Sequence, residues 1–155
     1  MVVSKPTKLK ILSTSLIVVS CLLSVSSVAH PDAKGVVKAR MVTMKALASS
    51  MKALNQVNSG KMPIAASSKI SERIIELSKL IPEQFPAGTY SFPSEASPKI
   101  DSERARFERI AASLGEAAST IPKIAQAGDL KKFTSSFRDI GKTCSGCHKA
   151  FRVKR

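Results

Sequence analysis

Residues 130–151 read LKKFTSSFRDIGKTCSGCHKAF. Leu130, Phe133, Phe137, Ile140, Cys144, Cys147 and Phe151 recur at steps of three and four without a slip. That spacing lays them along one face of a single helix. Inside the stripe stands Cys144-Ser145-Gly146-Cys147-His148, the C-x-x-C-H attachment sequence for a c-type haem. Two thiols three residues apart on a helix can each add across one vinyl group of the same porphyrin. His148 then offers an imidazole nitrogen to the iron from one face. Because both cysteines belong to the core-facing stripe, a haem held there is expected to be buried against other helices.

No other cluster of ligand chemistry competes. Cys21 lies in an apolar N-terminal stretch and His30 just beyond it, so Cys144, Cys147 and His148 are the sole concentration of metal-binding side chains. A structural zinc site needs four ligands and lacks a second Cys/His pair. A redox dithiol of the thioredoxin kind needs a βαβ context, and no strand pattern surrounds the motif. A disulfide across two intervening helical residues would be strained and would close almost no loop.

Outward from this helix the periodicity stays helical. A first segment, about 33–57, carries Val37, Met44, Leu47, Met51 and Leu54 on one face and ends at Ser59-Gly60. A second begins near Ser67 or Ser68, either of which can cap backbone N–H groups, and carries Ile70, Ile74, Leu77 and Ile81 until Pro82 stops it. A long crossover from Pro82 to Ala96 holds three prolines and a glycine, which exclude a regular element. It also holds Phe85, Tyr90 and Phe92 of the chain's seven aromatics, and is expected to pack down on the helices. The third helix starts with Ser97 as cap and Pro98 in its first turn, buries Phe107, Ile110, Leu114 and Ile121, and is kinked or ended by Pro122. Gly128 breaks the chain and Asp129 caps the fourth. Four helices, one longer crossover and no strands predict an all-α, antiparallel four-helix bundle with haem near the C-terminus of its last helix.

Residues 1–29 read as a secretory signal peptide. Lys5, Lys8 and Lys10 form a basic start, Ile11 to Val25 is apolar, and Ser27-Val28-Ala29 is a small-x-small cleavage site. A lipoprotein signal, Val18-Val19-Ser20 before Cys21, is the competing reading, although Leu22-Leu23 carries the apolar segment past that cysteine. No second apolar run follows, so no stable membrane insertion is expected once the signal is removed. Periplasmic export agrees with c-type haem attachment. Residues 30–155 then form one domain of 126 residues, with 22 Lys/Arg against 11 Asp/Glu and a formal charge of +11. Such a surface favours an acidic partner protein. No basic run is interleaved with aromatics, so nucleic acid is not expected.

The chain resembles the cytochrome c-prime family over nearly all of residues 33–155. The resemblance rests on Cys144 to His148 followed by Phe151 and Arg152, and on Arg40-Met41-Val42-Thr43-Met44 in the first helix. It rests also on Ser97-Pro98-Lys99-Ile100 with Glu103-Arg104-Ala105 and Phe107. Where an aromatic often follows the Pro-x-Ile segment, this chain has Asp101. The resemblance implies one covalent haem c, His148 as proximal ligand, and a distal residue at Met44. It implies Arg40 against a haem propionate, Arg152 near the imidazole or at the helix end, and pairing of two bundles into a homodimer as an option.

Family members divide at the distal position. One kind leaves the iron open beneath an apolar residue, is high-spin, and is associated with nitric oxide or carbon monoxide. The other closes it with a first-helix methionine and is a low-spin electron-transfer protein. Met44 resembles the second kind; the competing reading is a gap filler on the helix stripe. Met51 lies two turns further along, and Met41 is rotated off the stripe. No Ser-His-Asp set, second core histidine or glycine-rich phosphate loop is present, so electron transfer rather than an enzyme is expected, with the five-coordinate gas-binding cytochrome as the alternative.

Overall fold

A computed structural model describes Met1 and residues 33–153. The signal peptide reading of residues 1–29, with Cys21 and His30, lies outside the described residues. The described chain is all-helical. It runs α1 (Gly35–Asn58), α2 (Ala66–Leu80), a single 3-10 turn at Pro82–Gln84, α3 (Lys99–Ser102), α4 (Arg104–Ser119), α5 (Ile121–Gln126) and α6 (Leu130–Phe151). Contacts close a ring from α1 to α2, α2 to α4, α4 to α6 and α6 back to α1, which is the four-helix bundle.

Local chemistry sets most boundaries. Gly60, at φ 73°, ends α1 in the left-handed region, and Ser59 and Gly60 donate their N–H groups to Asn55 and Val57. Asp129 caps α6, its Oδ1 accepting from Lys132 N at 2.9 Å. Pro122 sits in the first turn of α5 and ends the third helical segment as its ring requires.

Several expectations are corrected. The third segment is interrupted at Glu103, whose backbone (φ −115°, ψ 31°) leaves the helical region, so α3 is one short turn before α4. Ser67 and Ser68 do not cap α2. The buried Ser67 Oγ instead donates to Ile64 O at 2.6 Å. Ser71 and Ser78 likewise donate to carbonyls three residues back, at 2.7 and 2.8 Å. These satisfied hydroxyls leave α2 a slim, small-residue face, and Ser78 brings it against α4. Gly115 lies so close there that a β-carbon would stand 2.7 Å from Ser78 Oγ. Leu130, the outermost member of the α6 stripe, is 49% exposed, because the stripe reaches the core only from Phe133 onward.

The crossover does pack down, with one exception. Phe85 and Tyr90 are buried, whereas Phe92 is 65% exposed. Several ties hold the segment, from α3, α4 and the last helix among others. Arg104 donates to the carbonyls of Pro82 and Phe85, each at 2.7 Å. The Tyr90 hydroxyl donates to Asp101 at 2.5 Å, so this carboxylate serves the crossover where an aromatic was expected by resemblance. At its far end the crossover zips onto the last helix, with Ser97 N to Phe151 O at 2.9 Å and Val153 N to Glu95 O at 2.8 Å.

Candidate haem site

The bundle encloses a cavity of about 530 Å3 between α1, α2, α4 and α6. That volume falls inside the roughly 300–1,000 Å3 range of sites that hold small molecules and cofactors. Its walls are apolar. Val37, Met44 and Met51, the half-buried members of the α1 stripe, face it beside Leu47. Phe107, Ile110 and Leu114 supply the α4 side. Rings of Phe85, Phe107 and Phe151 pack in series, with centroids 5.0 and 5.4 Å apart, and close one end.

The α6 stripe carries Cys144, Cys147 and His148 to this cavity, as its spacing predicts. Phe133, Ile140 and Phe151 anchor the helix in the core, while both cysteines are half-buried against it. Burial raises the pKa of the Cys144 thiol. Burial and the nearby Cys144 push the Cys147 thiol up to about 11. Two protonated thiols at neutral pH are poor thiolate ligands and weak nucleophiles, unlike an activated redox pair. Burial and the positive charge of Arg152 hold the His148 imidazole below its ordinary value, so its neutral, ligating form is favoured. Among the described residues no cluster of three or more His, Cys, Asp or Glu is placed to hold a metal ion.

Opposite α6, the α1 wall presents Met44, one of the residues singled out from sequence. It also presents Met41, which the stripe reading set aside. The cavity spans more of the helix circumference than the buried stripe does, so a position one step off the stripe still lines it. Two thiols, an adjacent imidazole and facing thioethers across an apolar gap are a donor set that fits haem c.

Arg40 is the residue whose main partners were missed. It is buried, and four of its five N–H donors are committed to the crossover. Nε donates to Gln84 O at 2.9 Å, Nη1 to Thr89 O at 3.1 Å and Ser94 Oγ at 2.6 Å, and Nη2 to Thr89 Oγ1 at 2.8 Å. Its guanidinium lies 4.1 Å from the Phe85 ring centroid. Burial lowers its pKa, which the nearby Tyr90 partly offsets. No sequence signal finds these acceptors, since they lie 44 to 54 residues away. Arg152 also borders the cavity and pairs with Glu95, Nε to Oε2 at 2.7 Å. It therefore joins the last helix to the crossover as well as standing near His148.

Residues 35–152 match the family model described as cytochrome c'. The chain is 32% identical over 126 residues to cytochrome c' of Pararhodospirillum photometricum, covering 80% of this chain and 99% of that protein. It is also 32% identical over 124 residues to cytochrome c-556 of Agrobacterium tumefaciens (strain B2A), covering 78% and 99%. Among solved structures it resembles the nitric oxide complex of a variant of cytochrome c prime from Alcaligenes xylosoxidans. That likeness has a TM-score of 0.68 and 30% identity, covering 77% of this chain and 94% of that one.

Proposed function

The chain belongs to the cytochrome c' family and carries one covalently attached haem c, and we propose that it is a periplasmic one-electron carrier with His148 as proximal and Met44 as distal iron ligand. The observation that carries this reading is that Met44 on α1 and Cys144, Cys147 and His148 on α6 border one apolar cavity. Haem c, when bound, supplies an iron that exchanges single electrons between two oxidation states. Cys144 and Cys147 would anchor the porphyrin through thioethers, and His148, kept neutral, would offer its imidazole. A thioether from Met44 would raise the reduction potential and exclude small ligands. Arg40 would keep its crossover bonds and present its charge and remaining N–H to a propionate. Arg152 would set the local field at His148, tempered by Glu95.

The periplasmic placement rests on the export signal read in residues 1–29. The described residues contain no helix long and apolar enough to cross a membrane. A surplus of cations on the mature chain supports an acidic redox partner, and a homodimer is the assembly the resemblance suggests.

A second reading is favoured by the Alcaligenes xylosoxidans relative, a variant of which has been solved with nitric oxide. In it Met44 only packs, and the open distal side binds nitric oxide or carbon monoxide. Replacing Met44 with alanine separates the two. The electron-carrier reading requires a low-spin absorption spectrum to become high-spin and carbon monoxide to bind. A spectrum that Met44→Ala leaves unchanged removes the ligation claim.

A further inference from the structure

Outside the haem cavity, where α6 meets α3 and the start of α4, lies a groove of about 470 Å3. Its floor is Gly146 and Ala150. Lys99, Arg106 and Lys149 rim it, and Glu103 is its one acidic residue. Gly146 is one of the two exposed residues between the haem-motif cysteines, and a β-carbon there would meet nothing within 4 Å, so the floor is open. Lys99 and Lys149 are exposed and take part in none of the ion pairs among the described residues. Arg106 is held in place by Glu103 at 2.5 Å and by the Phe151 ring, whose centroid is 5.7 Å away. Glu103 is therefore already engaged, and the groove keeps two uncompensated cations.

From this placement we infer that the groove is the docking surface for a carboxylate-bearing region of the redox partner. The inference rests on the electron-carrier reading above and selects one face for it. Cationic side chains converging on one small concavity suit an anionic side chain from another protein. The rival face is α1, where Lys38, Lys45 and Lys52 recur every seven residues. A seven-residue step spans about 10.5 Å along a helix, too far for those lysines to converge on one carboxylate. The groove is also close to the chemistry. Only the thickness of α6, about 10 Å, separates it from the cavity that Cys144 and Cys147 border. One electron would cross that distance, the partner being oxidised as the haem protein is reduced, with no bond or proton exchanged.

The test uses the ferric holoprotein and reduced plant-type [2Fe–2S] ferredoxin as an acidic one-electron donor, mixed by stopped flow at low ionic strength. The variant Lys99→Gln/Arg106→Gln/Lys149→Gln is compared with Lys38→Gln/Lys45→Gln/Lys52→Gln, which loses the same net charge. Lys99→Gln/Lys149→Gln leaves the contacts of Arg106 intact and guards against a folding defect. The groove variants should lower the second-order rate about tenfold relative to the α1 variant, with the difference fading at high salt. Equal slowing by both sets would mean that net charge alone steers the encounter, and greater slowing by the α1 set would place docking there. Either result overturns the inference. Hexaammineruthenium(II), a cationic reductant, distinguishes the failures. Reduction by it, together with a ferredoxin rate that the groove variants leave unchanged, sinks the docking surface alone, whereas a haem protein that neither donor reduces sinks the electron-carrier reading itself.

Discussion

Replacing Arg40 with alanine should cost the bundle about 3–5 kcal/mol, the upper end for a point substitution that breaks a buried hydrogen-bond network. The guanidinium makes hydrogen bonds of 2.6–3.1 Å to Gln84, Thr89 and Ser94 and stacks on Phe85. Hydrogen bonds to a charged group are worth about 1.5–3 kcal/mol each, so a plain sum would reach roughly 6–12 kcal/mol. The net loss is smaller for two reasons. The carbonyls of Gln84 and Thr89 are only partly buried and can turn to water, and alanine removes a charge whose burial is itself unfavourable, as its lowered pKa indicates. Ser94 Oγ is the fully buried acceptor, and it also accepts from Ala96 N at 3.1 Å. Losses of this size are a large part of the roughly 5–15 kcal/mol that holds a domain together. For a domain of this length they correspond to a fall in melting temperature of about 10–20 °C. The assay is thermal unfolding of the holoprotein by far-ultraviolet circular dichroism, with amide exchange at residues 94–97 as the local reporter. Arg40→Lys keeps the charge but loses the fork that reaches four acceptors at once, and should recover less than half of the loss. A melting temperature within about 3 °C of the parent, with exchange at residues 94–97 unaltered, would refute the assignment of Arg40 as the crossover's anchor.

Gly115→Ala should destabilise by about 0.5–2 kcal/mol. Crowding against Ser78 outweighs the helical gain of alanine, and chemical denaturation of this variant against the Ser78→Ala/Gly115→Ala double variant should show recovery. Tyr90 is the only tyrosine, and burial, with its bond to Asp101, pushes its phenol up to about 12. The proton is therefore held more tightly in the folded state than in the unfolded one. Its phenolate absorbance should appear near pH 12 rather than 10, and the stability this proton contributes should be intact below pH 10 and lost as pH rises from 10 to 12. Titration near 10 in the folded protein would contradict the buried Tyr90–Asp101 bond. Asp129→Ala removes the α6 cap and should cost about 0.5–2 kcal/mol by thermal unfolding, without a change in the haem spectrum.

Strong local rules made the site-bearing helix readable. The three-four stripe from Phe133 to Phe151 predicts both the buried face of α6 and the turn that brings Cys144, Cys147 and His148 to the cavity. Proline and glycine likewise marked where α2, α4 and α6 begin or end. What escaped depends on contacts distant in sequence or on competing local bonds. Arg40 looked free for a propionate because its acceptors lie on another segment. The serines of α2 could cap or bond backward, and Ser67, Ser71 and Ser78 bond backward to carbonyls that a sequence pattern does not single out. Met41 was set aside because a stripe drawn through core residues understates the width of a cofactor cavity.

The sixth position of the iron decides between electron transfer and gas binding. The decisive measurement is the absorption spectrum of the purified holoprotein, oxidised and reduced, before and after adding carbon monoxide. Ligation by Met44 predicts a low-spin spectrum that the gas leaves unchanged. A high-spin spectrum that shifts when carbon monoxide is added would contradict it and leave Met44 as packing in a gas-binding site.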